Sequence, residues 1–80
     1  MRIDKYLKIS RLIKRRSIAK DACDAGKIAI NGKKAKAGSE VKVGDKVTMT
    51  FGEKSIEVEI LIIKEHVKKE ETKDLYRQIG

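Results

Sequence analysis

The apolar residues change their spacing within residues 15–32, RRSIAKDACDAGKIAING, and this change decides the fold. In the first half of the stretch they follow helical spacing, at Ile18, Ala19, Ala22 and Cys23. Ser17 is a suitable N-cap for this helix, and Gly26 is placed to end it in the left-handed conformation. Residues 28–30 then alternate as a strand and lead into Asn31-Gly32, a dipeptide typical of two-residue hairpin turns. The stretch therefore predicts a helix followed directly by a β-hairpin.

The flanking segments extend this pattern in both directions. Towards the N-terminus, apolar residues at i, i+3 and i+4 predict a first helix over residues 3–9. Towards the C-terminus, alternation of apolar and polar residues predicts antiparallel strands over residues 47–51 and 56–60. The polar end of the chain is expected to form a short helix over residues 70–78. The order of elements predicts an α+β fold, with two short N-terminal helices packed on a small antiparallel sheet.

Length and composition restrict the class of protein. The chain has 80 residues, of which 40% are hydrophobic and 40% are charged, so we expect one domain that neither spans a membrane nor stays disordered. The longest apolar run spans residues 60–63, and Asp4 and Lys5 stand where a signal peptide would be apolar. A single Cys and a single His suit neither an intrachain disulfide nor an ordinary zinc site. We therefore expect a cytoplasmic protein without a metal or another cofactor.

Positive charge is concentrated in the first quarter of the chain. Residues 1–20 carry a net charge of +7, residues 21–36 carry +2 and residues 37–80 carry −1. Such a concentrated cationic surface is typical of proteins that bind a polyanion, with nucleic acid as the first candidate and an anionic membrane surface as the second. Arg15 and Arg16 are the best candidates for phosphate contacts, because a guanidinium group can bond two phosphate oxygens at once. The full set of candidate RNA-binding residues is Arg2, Lys5, Lys8, Arg11, Lys14, Arg15, Arg16 and Lys20.

Few other side chains suit base recognition or catalysis. Tyr6 is expected to pack the first helix on the sheet, and Phe51 is expected on the apolar face of its strand. With so little aromatic surface, binding of folded RNA by shape and backbone is favoured over readout of single-stranded bases. Cys23 is predicted to be a small core residue, and His66 has no suitable catalytic neighbour in the sequence. We therefore expect a binding protein and not an enzyme.

Four stretches together resemble a known family, and their order makes the match specific. They are residues 1–7, 15–19, 26–32 and 43–47. The chain is similar over residues 2–52 to the RNA-binding module first named for the small-subunit ribosomal protein S-four. That module packs two short helices on a small, strongly bent antiparallel sheet and faces structured RNA with its helix pair. The resemblance implies a domain of this type over residues 1–63 and a polar extension over residues 64–80.

The short free-standing members of that family narrow what the resemblance implies. The chain is similar to the fifteen-kilodalton ribosome-associated heat-shock proteins and to the short bacterial proteins of ribosome quality control. Such members bind large ribosomal subunits that still carry peptidyl-tRNA after a stalled ribosome has split. The partners implied are large-subunit ribosomal RNA, peptidyl-tRNA and a tailing factor on the same subunit. The expected protein is a monomer with no membrane partner.

Three other functions remain open at this point. The chain could be an accessory domain of a larger RNA-modifying enzyme or synthetase, although the start at Met1 favours a free-standing protein. It could bind a membrane surface, although the first helix is too short to anchor there. It could also bind any nucleic acid without selectivity, which would be visible as equal affinity for every duplex.

Overall fold

Two short helices and a five-stranded antiparallel sheet form the computed structural model of the chain, which describes all of residues 1–80. The strand order is β2-β1-β3-β4-β5. In chain order the elements are α1 (Ile3–Ile9), α2 (Arg16–Asp24), β1 (Ile28–Ile30), β2 (Lys33–Lys34), β3 (Lys46–Phe51), β4 (Lys54–Ile60), a 3-10 helix (Lys69–Asp74) and β5 (Tyr76–Gln78). The α+β fold predicted from the sequence is confirmed, with α1 at the predicted residues.

Helix α2 begins earlier than the sequence predicts. Arg15 is the residue before its first turn, and the Arg15 carbonyl accepts a bond from the Ala19 amide at 3.1 Å, so Ser17 lies inside the helix and does not cap it. Ile18 is 47% exposed, so it does not share the burial of Ala19, Ala22 and Cys23, the residues with which its helical spacing groups it. The end is as predicted: Gly26 has a φ of 74°, and the Lys27 amide reaches back to the Ala22 carbonyl at 2.9 Å.

The Asn31-Gly32 turn joins β1 to β2 and also anchors the next strand. Both residues have positive φ angles, 50° and 83°, as a type I′ turn requires. The Asn31 side chain donates to the buried Asp45 carboxylate at 3.0 Å and accepts from the Lys46 amide at 2.9 Å. The turn therefore holds the start of β3 beside β1, and this fixes the register of the sheet.

The core lies between the helices and one face of the sheet. Its largest fully buried side chains include Ile3, Tyr6, Leu7, Ile28, Val47, Met49, Val58 and Ile60. At the turn end of the β3–β4 hairpin the same face is uncovered, because Phe51 is 41% exposed and Ile56 is 38% exposed. Phe51 therefore lies on the apolar face of its strand, as expected, but this face is not covered at its position.

Tyr6 packs α1 against the C-terminal segment of the chain. Its ring is 1% exposed, and its hydroxyl donates to the Leu75 carbonyl at 2.8 Å. Burial raises the pKa of the Tyr6 hydroxyl, and the nearby Tyr76 raises it further. The packing role predicted for Tyr6 is confirmed, and the buried ring cannot stack on a base.

The C-terminal segment is a 3-10 helix followed by a strand, so the helix predicted over residues 70–78 is only partly correct. Tyr76–Gln78 pairs with β4, and Tyr76 lies opposite Ile60. The physical reason is that β4 would otherwise be an edge strand with unpaired amide and carbonyl groups. Leu75 is 1% exposed, so this segment packs on the same core as the rest of the chain. The division into residues 1–63 and 64–80 stays a prediction.

Cys23 belongs to the core, as predicted. It is 4% exposed and carries no disulfide. Burial raises the pKa of its thiol, and the carboxylates of Asp4 and Asp24 raise it further. The thiolate that nucleophilic chemistry requires is therefore disfavoured at this position.

Candidate nucleic-acid interface

Backbone bonds at the N-terminus hold α1 in place. The Met1 ammonium group contacts the Glu40 carboxylate at 2.8 Å, and the Ile3 amide donates to the Ser39 carbonyl at 2.7 Å. Arg2 forms an antiparallel bridge with Glu40. The first residues are therefore fixed against the loop between β2 and β3, and this sets where the cations of α1 are presented.

Asp4 links the two helices through their arginines. Its side chain is 4% exposed and accepts hydrogen bonds from Arg2 Nη2 at 3.2 Å and from Arg16 Nη2 at 3.4 Å. Arg16 Nε lies 3.4 Å from the same carboxylate as an ion-pair contact. The arginines themselves remain about half exposed, at 50% and 45% of their side-chain area. Each guanidinium group has five N–H donors, so donors remain for a second acceptor. Asp4 thus orients two guanidinium groups from two helices at one place on the surface.

The remaining predicted cations differ in whether an acid accompanies them. Lys5 forms an ion pair and a hydrogen bond with Glu65. The hydrogen bond, followed by the positive charge of Lys5, lowers the pKa of the Glu65 carboxyl. Five cations are exposed and have no carboxylate within 4.0 Å: Lys8, Arg11, Lys14, Arg15 and Lys20. These five carry charge that no group of the protein neutralises, which favours a bound polyanion.

These eight residues of α1, α2 and the turn between them are named here the cationic helix pair. Arg2, Lys5 and Lys8 follow each other at i+3 spacing along α1, and Arg16 and Lys20 lie at i, i+4 on α2. Arg11, Lys14 and Arg15 lie in the turn between the helices. Which of the eight contact a ligand stays a prediction.

Arg11 occupies a backbone conformation that favours glycine. Its φ is 61°, directly after the C-cap Ser10, and its amide donates to the Lys8 carbonyl at 3.0 Å. A side chain in this region costs about 1 kcal/mol. An arginine retained at this cost is a candidate for function, because its side chain is exposed and has no partner within the protein.

Arg11→Gly is therefore expected to separate stability from binding. The variant should raise the free energy of unfolding by about 0.5–1 kcal/mol, because glycine relieves the strain. It should weaken RNA binding about tenfold, since one charge-assisted contact is lost. Urea unfolding and RNA titration measure the two effects. Arg11→Ala is the matched control, because it loses the same contact and keeps the strain. Unchanged affinity in both variants would show that Arg11 makes no RNA contact.

A second group of cations, which was not predicted as a site from the sequence, lies in and around the β1–β2 hairpin. Lys27, Lys33, Lys34 and Lys36 are exposed and have no ion-pair partner. Lys34 packs over the end of α2, since a Cβ atom built on Gly26 would lie 3.5 Å from Lys34 Nζ. An ammonium group there also complements the helix dipole. The +2 charge of residues 21–36 was the signal that could have identified them.

No three His, Cys, Asp or Glu side chains come together in a way that could hold a metal ion. No helix has both the length and the apolar character that crossing a membrane requires.

Comparisons with known proteins give a consistent result. The S4 domain family model matches residues 1–47. The RQC P-site tRNA stabilizing factor of Halalkalibacterium halodurans is 55% identical over 76 residues, 95% of this chain and 86% of the relative. The factor of the same name from Bacillus subtilis is 53% identical over 76 residues, which are 95% of this chain and 88% of that relative. The trimeric structure of Vibrio cholerae Heat Shock Protein 15 matches all of this chain and 82% of its own, with a TM-score of 0.90 and 31% identity.

Proposed function

Since this chain belongs to the S4 domain family and to the family of RQC P-site tRNA stabilizing factors, we propose that it binds ribosomes and stabilises P-site tRNA in ribosome-associated quality control. The observation that carries the proposal is the cationic helix pair, where five cations have no acid partner, in a chain 55% identical to a factor of that name. The resemblance stated from the sequence is confirmed by these relatives.

The cationic helix pair makes the RNA contacts in this proposal. Arg2 and Arg16, oriented by Asp4, act as pre-positioned forks for phosphate oxygens. Further contacts come from the ammonium groups of Lys8, Lys14 and Lys20 and from the guanidinium group of Arg15. Lys5, which is paired with Glu65, adds one more positive charge. Orientation before binding reduces the conformational entropy that the complex loses. The protein therefore acts by occupying and holding RNA, and no step of its action is catalytic.

The finer details of the proposal concern the partners. The RNA is large-subunit ribosomal RNA together with peptidyl-tRNA, and a tailing factor occupies the same subunit. The protein acts as a cytoplasmic monomer with no membrane partner. The cationic helix pair within residues 1–63 makes the phosphate contacts, and residues 64–80 brace it through the Tyr6–Leu75 hydrogen bond. Recognition depends on RNA shape, because Tyr6 is buried and offers no stacking surface.

Binding to three RNA targets across a salt series tests the proposal. The targets are large subunits with peptidyl-tRNA, vacant large subunits and a random RNA duplex. Each phosphate contact contributes a slope of about 0.7–0.9 to the loss of log affinity with log salt. With about four to six contacts, raising salt from 50 to 200 mM should cost the duplex about two to three powers of ten in affinity. Subunits with peptidyl-tRNA should bind most tightly, and their affinity should fall least as salt is raised.

The order of the three curves decides between the proposal and its alternative. Superimposed curves would mean unselective binding of nucleic acid and would overturn the role at P-site tRNA. Tight binding to vacant subunits with no gain from tRNA would keep ribosome binding and remove tRNA from the proposal.

A further inference from the structure

A groove of about 680 Å³ lies where the end of α1 faces the segment after β4. Its lining residues are Lys8, Ile9, Arg11, Leu12, Lys14, Glu65, His66 and Val67. The ion pair between Lys5 and Glu65 joins the two walls across 60 positions of the sequence. The groove is therefore a product of the tertiary fold and borders the cationic helix pair.

The groove is lined by cationic side chains and by apolar ones. Lys8, Arg11 and Lys14 are exposed cations without an acid partner. Ile9 and Val67 are half-buried, lie outside the core cluster and present apolar surface to the groove. The imidazole of His66 is exposed beside them. The one acid of the lining, Glu65, is paired with Lys5. The groove therefore combines net positive charge with apolar surface.

We propose that this groove binds one unstacked nucleotide of the RNA. Its phosphate lies on the rim formed by Lys8, Arg11 and Lys14, and its base lies against His66 and Val67. The volume is within the range of about 300–1,000 Å³ that small-ligand sites have. Proteins that select among RNAs take up unstacked bases from loops and bulges, against planar or apolar side chains. The proposal rests on the proposed function and adds a base-binding site to it.

Charge and position favour a nucleotide over a protein segment as the occupant. Lys8 near the end of α1 and Arg11 and Lys14 in the turn that follows line the groove, and the same turn carries Arg15. A nucleotide bound here continues the same RNA strand onto that neighbouring cation. The site also provides apolar contact that the buried Tyr6 cannot provide.

Two RNA duplexes that differ by one bulged nucleotide test the site. The full-length protein should bind the bulged duplex about tenfold more tightly than the paired one, since one base contact contributes about this factor. Val67→Asp places a carboxylate on the apolar surface of the groove, and His66→Ala removes the imidazole. Both variants should lower the preference for the bulge to about twofold or less. Amide shifts of residues 9, 12, 66 and 67 on titration with the bulged duplex should locate the contact.

Val43→Asp is the matched control, because Val43 is 60% exposed, lies outside the groove and receives the same added charge. This variant should weaken binding to both duplexes equally and should keep the preference for the bulged duplex. A bulge preference that survives both groove variants would overturn the site. Equal binding of the two duplexes by the unmodified protein would also overturn it while leaving RNA binding intact. An acidic peptide that shifts these amides when bulged RNA does not would assign the groove to a protein partner and overturn the proposal.

Discussion

Reversing the charge of Lys14 and Arg15 to Glu is expected to lower ribosome affinity by about two to three powers of ten. Both side chains are exposed and neither has an acid partner, so the fold does not depend on their charge. Each charge-assisted contact contributes about 1.5–2 kcal/mol, and two such contacts are lost together. Sedimentation with large subunits at constant salt measures the loss.

Lys68→Glu with Lys69→Glu is the matched control, because it lowers the net charge from +8 to +4 in the same way. Both lysines are exposed and lie at the start of the 3-10 helix, outside the cationic helix pair. Their reversal should lower affinity far less than reversal of Lys14 and Arg15, since neither lysine belongs to the cationic helix pair. Equal losses from the two double variants would contradict the assignment of the interface to the cationic helix pair.

Arg16 is less suitable for this experiment than the sequence suggests. It contacts the carboxylate of Asp4, whose side chain is 4% exposed. Arg16→Glu would therefore place a second carboxylate beside a buried one. Loss of binding in that variant would then combine loss of a contact with loss of the fold. The melting temperature of the Lys14 and Arg15 variant should stay close to that of the unmodified chain.

Cys23→Asp is expected to unfold the domain. The position is 4% exposed, and burial, followed by the carboxylates of Asp4 and Asp24, already raises the pKa of the thiol there. Burial of an unpaired carboxylate costs several kcal/mol, which approaches the whole stability of about 4–12 kcal/mol that a chain of this length has. Far-UV circular dichroism and urea titration measure the loss.

Cys23→Ala is the control, and it should cost only about 1 kcal/mol with RNA binding intact. The comparison separates loss of a small buried group from burial of a charge at one position. A Cys23→Ala protein with a normal melting temperature and no ribosome binding would contradict the core assignment and indicate a function of the thiol.

Those features that depend on neighbouring residues could be predicted from the sequence. The bounds of α1 follow from its apolar spacing, and the end of α2 follows from the positive φ that Gly26 accepts. The β1–β2 turn follows from Asn31-Gly32 in the same way. The cationic residues of the interface were predictable because an unbalanced charge is a property of composition, whatever the fold.

The strand β5, the Asp4 site and the groove, which the sequence did not predict, depend on partners far along the chain. Residues 76–78 became a strand because β4 offered an edge, against their local helical pattern. The Asp4 site joins two helices, and the groove lies where α1 faces residues 65–67, with the ion pair between Lys5 and Glu65 spanning 60 positions of the sequence. Local spacing determines whether a segment is helix or strand and how much charge it carries. Only the tertiary structure decides which cations are paired, which remain free and which apolar residues stay exposed, because those outcomes depend on distances between segments that the sequence does not specify.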